Sequence, residues 1–364
     1  MDDRRSARLA QLATQNKMPR VGVIGAGISG LRSAQVLLQK GFHVTILEAR
    51  DRIGGWVYQE TLNGHSVDMG ANWIHGMDKN PIGRLATEIN TVLCKDEPLY
   101  VVFDTHGRLI PDDVAEQCGE FVEALLDEAE EYSNRNQADI SPSRTVRDFM
   151  LEEIAKSQLS AESRVICEQM RLKFLCLQDG HSGEDAFVAS TYKGIVQSLA
   201  LEASEAIRLN QEVVKITTSP RTDDTEAVTV ETKAGLVEAF DEVIMTCPIA
   251  EQGCIQPNYD ANTCRPASFL ASQWLNDPFA YGSYSSVRVA QNNAAEDFRM
   301  LRTGGGKGKL GHNLMGHGRG IWFAGEHTID PRDIGTTTGA WTSGDRAAKH
   351  ILLAYGLKPN ISNQ

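Results

Sequence analysis

Three glycines near the N-terminus have the spacing of a phosphate-binding turn. Gly25, Gly27 and Gly30 follow the apolar run RVGVI and open a stretch with helical spacing. In a strand–turn–helix unit the first glycine permits the turn, the second admits a pyrophosphate, and the third packs helix on strand. Glu48 ends the next apolar run, where an acidic residue can accept hydrogen bonds from ribose hydroxyls. These residues predict a dinucleotide site, and a purely structural glycine turn is the alternative.

The residues that follow indicate which dinucleotide is bound. EARDRIGGWV places Arg50 and Arg52 ahead of a glycine pair, Gly54 and Gly55. The run resembles the E-A-x-x-R-x-G-G-R signature of FAD proteins of the glutathione-reductase type. Trp56 stands where that signature has its last arginine, and an indole cannot supply the charge and forked donors of a guanidinium. Arg50 and Arg52 are the candidates to compensate.

A parallel sheet flanked by helices is needed to position these residues. Periodicity and turn residues predict the following elements: a strand over 21–24, a helix over 31–40, a strand HVTILE, a hairpin turning at NG, a helix starting at Pro81, amphipathic helices within 112–172, a helix in TYKGIVQSLALEA, a strand IRLNQEVVKITTS, a hairpin and buried strand in AVTVETKAGLVEAFDEVIMTCP, and a C-terminal strand and helix. The fold class is therefore α/β, with a Rossmann-like FAD-binding domain of the glutathione-reductase type.

The pieces that close the nucleotide domain lie at opposite ends of the sequence, so the second domain is predicted to be inserted. It would be a truncated α+β substrate domain. The predicted division is a first FAD-binding segment over 19–80; a mainly helical substrate-side segment over 81–190; a second FAD-binding segment over 191–250; a remnant of the substrate domain over 251–300; and a third FAD-binding segment, with the C-terminal strand and helix, over 301–364.

Composition restricts the partners and the location of the chain. Its 364 residues have a formal net charge of −12, which argues against nucleic acid or an anionic membrane as the main partner. No apolar run is long enough to span a bilayer, and the N-terminus is polar with no secretory core. Seven scattered cysteines without a CxxC pair predict a reduced, cytoplasmic chain with no metal site. His312 and His317, in a glycine-rich loop, are predicted to be solvated.

Several motifs in the same order make the chain similar to the flavin-containing amine oxidases. They are GAGISG with ILEARDRIGG, GANWIHG with NPI, VIMTCP, WLNDPFAYGSYS, and FAGEHT with GTTTGAWTSG. The run GANWIHGMDKNPI most resembles the branch of the polyamine and spermine oxidases. The resemblance covers most of the chain.

This resemblance implies a set of cofactor contacts beyond the glycines. It assigns Glu48 and the glycine turn to adenosine diphosphate, and a backbone contact of Val214 to the adenine ring. Gly325 and Glu326 would hold the pyrophosphate and ribityl chain. The helix starting at about Thr338 would point its N-terminus, with its partial positive charge, at the isoalloxazine.

The resemblance also implies residues on the amine side. His75 matches the histidine near the amine in polyamine oxidases, and Tyr284 matches one wall of an aromatic cage, with Thr336 opposite. Ser283 stands where monoamine oxidases carry the cysteine that links flavin, so FAD should be non-covalent. His75 bonding within its own loop and Tyr284 serving only as packing are the alternatives, and Trp341 is predicted to be helix packing.

The chemistry implied by the resemblance is oxidation of a neutral amine by oxygen. Hydride passes from the α-carbon to flavin N5, water hydrolyses the iminium to an aldehyde, and oxygen reoxidises the flavin to give hydrogen peroxide. Aromatic walls orient the amine by cation–π attraction worth ~0.5–2 kcal/mol. The expected partners are a small amine and oxygen.

One departure from the family pattern bears on activity. The family has a long substrate-domain segment after the strand ending VIMTCP, and that segment carries a lysine that binds a water near flavin N5. Here only residues 249–273 separate Pro248 from WLNDPF, and no lysine occurs between Lys233 and Lys307. Three explanations stay open: a damaged oxidase, a natural reduced variant, and a protein that binds FAD without turnover. A missing substrate sheet would leave apolar surface exposed, which predicts aggregation, a homo-oligomer or an open active site. Histone demethylation and NAD-dependent chemistry rank below these.

Overall fold

The fold is taken from a computed structural model of the chain. The structure describes the following residues: 3–15, 17–95, 111–136, 138–141, 143–156, 183–220, 226–246, 272–280, 282–285, 302, 320–329 and 333–359. They form two compact units, of which the first comprises 1–94, 181–285 and 298–364 and the second comprises 95–180 and 286–297. The finer five-segment division given above stays a prediction.

A five-stranded parallel sheet forms the centre of the first unit. Its strands are β1 (Arg20–Ile24), β2 (His43–Leu47), β8 (Ile207–Arg208), β12 (Glu242–Met245) and β13 (Ile321–Phe323). Their order across the sheet is β13-β12-β1-β2-β8. β1 is central and almost wholly buried, as expected for an apolar parallel strand covered on both faces. The C-terminal strand β13 therefore completes a sheet that begins at residue 20, as the sequence predicts.

Two helices pack on each other and against this sheet. They are α2 (Ile28–Leu38) and α7 (Thr337–Ala354). Their axes approach closely at Gly344, where a Cβ atom would lie 2.1 Å from the Ser29 carbonyl oxygen. Ser29 and Ser343 join the helices by a 3.1 Å hydrogen bond between their hydroxyls. This contact brings two helix N-termini to the same region of the unit.

The remaining elements of the first unit surround this core. They are α1 (Asp3–Thr14), β3 (Gln59–Leu62), β4 (His65–Asp68), β5 (Trp73–Ile74), α3 (Pro81–Glu88), β6 (Leu93–Lys95), β7 (Ala186–Val188), α6 (Lys193–Ala200), β9 (Val213–Pro220), β10 (Glu226–Thr232) and β11 (Val237–Phe240), with short 3₁₀ turns at Ser204–Ala206 and Glu326–Thr328. β9, β10 and β11 form an antiparallel sheet, β3 pairs with β4, and β5, β7 and β6 form a third small sheet. The predicted hairpin is confirmed, since Asn63 and Gly64 both have positive φ.

The second unit is helical where it is described. It contains α4 (Asp112–Asn136) and α5 (Val146–Lys156). Leu125 and Ala129 of α4 form a buried cluster with Val146, Phe149 and Met150 of α5. This agrees with the amphipathic pattern of the sequence between 112 and 156. The rest of the predicted helical stretch, 157–172, lies outside the described residues.

Two boundaries differ from the prediction. α2 begins at Ile28, before the predicted Leu31, because the last glycine of the turn already has helical backbone and lies inside the helix. The run IRLNQEVVKITTS forms two strands, β8 and β9, and Asn210 between them has a left-handed φ of 57° that no continuous strand accepts. His312, His317 and the glycine-rich loop around them lie outside the described residues.

Within the described portion of the chain, no group of three or more histidine, cysteine, aspartate or glutamate side chains could hold a metal ion. The helices described there are too short or too polar to cross a membrane. Cys94 is exposed and forms no disulfide. The side chains of the other cysteines lie outside the described residues.

Candidate functional site

The first glycine corner joins β1 to α2 and has no room for a side chain at Gly25 or Gly30. A Cβ atom on Gly30 would lie 2.0 Å from the carbonyl oxygen of Gly25, which is backbone and cannot rotate away. Gly25 itself has a φ of +105°, and a Cβ there would lie 2.5 Å from the Thr246 hydroxyl. Gly27 is the N-cap of α2, and no side chain caps this helix. The first turn of α2 therefore presents its amide donors without a protein cap, as a phosphate site requires.

A second glycine corner packs directly on the first. The Gly54 N–H donates to the Ala26 carbonyl at 2.9 Å, and Gly27 and Gly54 form a parallel β-bridge. A Cβ on Gly55 would approach the Gly27 Cα to 3.4 Å. Trp56 follows the pair and lines the same cavity, while its indole N–H is buried without a hydrogen-bond partner. The two corners thus form one compact backbone wall, with an unpaired donor next to it.

The two arginines of this region are held by protein groups. Arg50 donates to both carboxylate oxygens of Asp277 at 2.8 Å, and its guanidinium lies 5.3 Å from the Phe279 ring centroid. Arg52 donates to the carbonyl of Gly55 at 3.0 Å and stacks 4.0 Å from the ring centroid of Tyr58. Arg50 lines the cavity, whereas Arg52 does not. Each guanidinium therefore has protein partners, and of the two only Arg50 lines the cavity.

Glu48 combines burial with unused acceptor capacity. Its side chain is 4% exposed, and one carboxylate oxygen accepts from the Ala26 N–H at 2.7 Å. The other oxygen accepts from the Arg50 N–H at 2.9 Å. A carboxylate offers about four lone-pair positions, so two stay open for ligand hydroxyls. Because Glu48 lines the cavity, its position fits the predicted ribose contact.

A cavity of about 890 Å³ connects these residues to the N-terminus of α7. Its walls include both glycine corners, Glu48, the exposed Val214 of β9, and several residues within 272–284 and 325–340. The volume lies within the range of sites that enclose an extended cofactor. The donor set at one end, the acidic residue beside it and the second helix N-terminus at the far end all fit a dinucleotide with a flavin ring. Gly30 does not line this cavity, in line with its predicted packing role.

The predicted cage residues also line this cavity. Tyr284, Thr336 and Ser283 all line it. Tyr284 is 67% exposed. Thr336 is the N-cap of α7, accepts from the Gly339 N–H at 2.9 Å and donates to the Asp333 carbonyl at 2.7 Å. Its hydroxyl is therefore occupied by the helix cap, and its role opposite Tyr284 stays a prediction.

Gly325 and Glu326 follow β13 and also line the cavity. Gly325 has a φ of +119°, and a Cβ there would lie 2.5 Å from the His327 ring. Glu326 is 4% exposed, and burial raises the pKa of its carboxyl, partly offset by hydrogen bonds from Gly335 and Ser285. Burial, with a smaller effect of Arg346, lowers the pKa of His327 to about 4, so this cavity residue is neutral near pH 7.

His75 and Thr338 lie outside the cavity lining. His75 is exposed, and its Nδ1 lies 2.7 Å from a carboxylate oxygen of Asp185. Thr338 is buried and donates to the side-chain oxygen of Asn80 at 3.1 Å. Thr337, one residue earlier, lines the cavity instead. The predicted contacts of His75 with an amine and of Thr338 with the cofactor stay predictions.

Asn80 is a positioning residue that the sequence did not single out. It is 1% exposed, caps α3 by accepting from Ile82 and Gly83, and donates to the carbonyls of His75 and Gly76. It thereby ties the WIHG loop to α3 and α7. The signal was available, because asparagine directly before proline is a strong helix N-cap. Trp341 packs as predicted, with the Arg32 guanidinium 4.1 Å from its ring centroid.

Curated relatives of the chain include polyamine oxidases and a histone demethylase homologue. It is 30% identical over 260 residues to probable polyamine oxidase 4 of Arabidopsis thaliana, covering 64% of this chain and 51% of that protein. It is 34% identical over 184 residues to polyamine oxidase 2 of the same plant, covering 47% and 36% respectively. A shorter match, 38% over 114 residues, links it to lysine-specific histone demethylase 1 homolog 2 of Arabidopsis thaliana, covering 30% and 15%. The chain spans about half the length or less of these relatives.

Solved structures share the fold of the chain. Wild-type putrescine oxidase bound to putrescine superposes with a TM-score of 0.68 at 16% identity, covering 92% of this chain and 99% of that one. At this identity the likeness shows the fold alone. The sequence profile described as flavin containing amine oxidoreductase matches residues 28–165, 129–258 and 253–352. The chain therefore belongs to the flavin-containing amine oxidoreductase family.

Proposed function

We propose that this chain binds FAD non-covalently and oxidises a small, polyamine-like amine to an imine that hydrolyses to an aldehyde, with hydrogen peroxide as the second product. The observation that carries the proposal is the continuous cavity from the uncapped N-terminus of α2 to Tyr284 and the N-terminus of α7. The same proposal includes a cytoplasmic location and association of the chain into a homo-oligomer if the site is left open.

Each portion of the cavity offers donors or acceptors for one portion of the cofactor. The first turn of α2 and the glycine corners would hold the diphosphate, and the open lone pairs of Glu48 would accept from ribose hydroxyls. Val214, 56% exposed on the cavity wall, offers its backbone beside the adenine position. The N-terminus of α7 would favour negative charge that accumulates on a ring near it.

The bound flavin would supply the oxidising chemistry, accepting a hydride from the α-carbon of the amine and passing the two electrons to oxygen. The chain's own role is to bind and orient the amine. Tyr284 offers an aromatic face to a cationic or neutral amine. His327 is uncharged near pH 7, so it adds no repulsion against an incoming cationic amine. Ser283, beside Tyr284, has no thiol that could link a flavin.

The experiment that tests the proposal is an anaerobic spectral titration. Purified full-length chain, reconstituted with FAD and freed of excess, is expected to be yellow. Adding spermine or an N-acetylated polyamine without oxygen should bleach the visible flavin band, and admitting air should restore it with release of peroxide. A chain that folds but retains no FAD, even when the nucleotide is in excess, contradicts the proposal.

A second candidate function is FAD binding without amine turnover. It is favoured by the 67% exposure of Tyr284, because oxidation of an amine needs a site that excludes water. It is also favoured by the short stretch 249–273, which replaces a long segment of the family pattern and contains no lysine. In the same titration this candidate predicts a yellow protein whose flavin band does not bleach with any of a panel of amines.

Restoring the arginine of the FAD signature is expected to tighten cofactor binding. Arg50 and Arg52 each have protein partners, so an arginine at position 56 would add a further guanidinium to the cavity wall. In Trp56→Arg a new guanidinium beside the diphosphate would add a charge-assisted hydrogen bond, which lowers the dissociation constant for FAD about tenfold or more. Quenching of flavin fluorescence during titration measures it. Trp56→Phe is the matched control, and equal affinity of the Arg and Phe variants would refute the prediction.

A further inference from the structure

We propose that Glu326 is a positioning residue that holds the two chain segments bearing Tyr284 and Thr336 together at the amine end of the cavity. The role of those segments in binding an amine rests on the proposed function. The clamp itself is a property of the fold and can be tested without a substrate.

The contacts of the Glu326 carboxylate join two segments far apart in sequence. One oxygen accepts from the Ser285 N–H at 3.2 Å and from the Ser285 hydroxyl at 2.9 Å. The other accepts from the Gly335 N–H at 2.7 Å. Ser285 directly follows Tyr284, and Gly335 directly precedes Thr336. A single side chain thus fixes the backbone next to both predicted cage residues.

The two clamped segments also pack on each other. Gly335 has a φ of +77°, and a Cβ atom there would lie 3.3 Å from Cδ2 of Tyr284 and 3.6 Å from the Ser285 carbonyl oxygen. A left-handed backbone and this close contact both require glycine. Because 67% of Tyr284 is exposed, little packing other than this contact restrains the ring. The hydrogen bonds from Ser285 to Glu326 are therefore important for its placement.

The turn that carries Glu326 is itself held in place by hydrogen bonds to α7. It begins the 3₁₀ turn Glu326–Thr328, and Arg346 of α7 donates to the carbonyl of Phe323 at 2.8 Å and to the hydroxyl of Thr328 at 2.9 Å. The Gly325 N–H donates to the Ser343 hydroxyl at 2.9 Å. Contacts on both sides of Glu326 thus lock the turn to α7. A buried carboxylate with three donors makes strong, charge-assisted hydrogen bonds, so it can restrain the segments around Ser285 and Gly335.

This role differs from the cofactor contact that the family resemblance implies for Glu326. Three protein donors already occupy its two oxygens, which leaves fewer lone pairs for a ligand than Glu48 retains. A clamp predicts that loss of the carboxylate loosens residues near 285 and 335. A direct cofactor contact predicts weaker FAD binding with both segments unchanged.

Hydrogen–deuterium exchange of the full-length chain, with and without FAD, separates these outcomes. In Glu326→Ala the peptides carrying Ser285 and Gly335 should both exchange about tenfold faster, as expected for loss of charge-assisted hydrogen bonds. In Glu326→Gln the single amide oxygen can accept from only one of the two segments, so only one of the two peptides should exchange faster. Ser285→Ala, which is milder, should loosen only the peptide around 285. Glu205→Gln, the same change at an exposed site, should alter neither.

The kinetic consequence is a larger KM for the amine in Glu326→Gln, with flavin content per chain retained. The proposal is overturned if exchange near 285 and 335 stays at the wild-type level while FAD affinity falls. If the wild-type chain oxidises no amine, the proposed function fails. Faster exchange of both peptides in Glu326→Ala would still establish the clamp. The two failures are therefore distinguishable.

Discussion

Gly30→Ala is expected to abolish retention of FAD and to destabilise the chain by several kcal/mol. The added methyl group would lie 2.0 Å from the Gly25 carbonyl oxygen and 3.2 Å from Cγ1 of Val23. The nearest obstacle is backbone, so relief requires that α2 move away from β1. Such a shift would displace the N-terminus of α2 and the corner at Gly27, where the diphosphate is proposed to bind. We expect FAD to bind about 100-fold more weakly, or not at all, because anion binding depends on that geometry.

The measurements are flavin absorbance per chain after gel filtration and the midpoint of urea unfolding. Gly194→Ala is the matched control, because it makes the same change within α6 of the same unit. The nearest neighbour of a Cβ there is Cδ1 of Ile89 at 3.7 Å, an ordinary contact. This variant should keep FAD and stay within about 0.5–1 kcal/mol of the wild-type stability, because Gly194 lies in the first turn of α6, where alanine is tolerated. Wild-type FAD affinity in Gly30→Ala would show that the corner is not the phosphate site.

The sequence revealed the nucleotide corner because its signal is local. Gly25, Gly27 and Gly30 lie within six residues, and both the positive φ of Gly25 and the close approach of Gly30 to the Gly25 carbonyl arise within that stretch. The hairpin at Asn63 and Gly64 was equally local, since a two-residue turn with positive φ favours these residue types. Periodicity located most helices and strands for the same reason, and erred where a single left-handed residue, Asn210, divides an apolar run.

Contacts between distant residues could not be predicted in this way. Arg50 looked like a ligand-binding cation, yet it pairs with Asp277, which is 227 residues away and carries no local sign of that role. The carboxylate of Glu326, predicted as a cofactor ligand, also accepts from Ser285, which is 41 residues away, and from Gly335. Pairing of this kind follows from topology, because the fold decides which donor lies beside a given carboxylate, and the local sequence does not. Family resemblance supplied candidate residues whose long-range partners only the fold reveals.

Acidification is expected to destabilise the chain steeply through its C-terminal histidines. Burial, and secondarily Arg346, lowers the pKa of His327 from 6.5 to about 4. Burial, with Arg346 and Arg302, does the same for His350, whose ring packs 6.4 Å from that of Trp322. Both groups are neutral in the folded and the unfolded chain above pH 6.5. As pH falls from about 6.5 to about 4, only the unfolded state gains protons, so the free energy of unfolding decreases.

The expected size is about 3 kcal/mol for His327, since each pKa unit corresponds to about 1.4 kcal/mol, and less for His350, which is partly exposed. Urea unfolding at about pH 7 and about pH 4.5 measures the loss, and carboxylates add a background that all variants share.

His350→Phe keeps a ring against Trp322 but cannot titrate, so it should lose less stability on acidification than the wild type. His65→Phe changes an exposed histidine of the hairpin and should follow the wild type. If His350→Phe lost as much stability as His65→Phe, the buried histidine would not be the source of the acid sensitivity. The two-variant comparison therefore assigns the effect to burial of an unprotonated ring beside Arg346, the same residue that fixes the turn carrying Glu326.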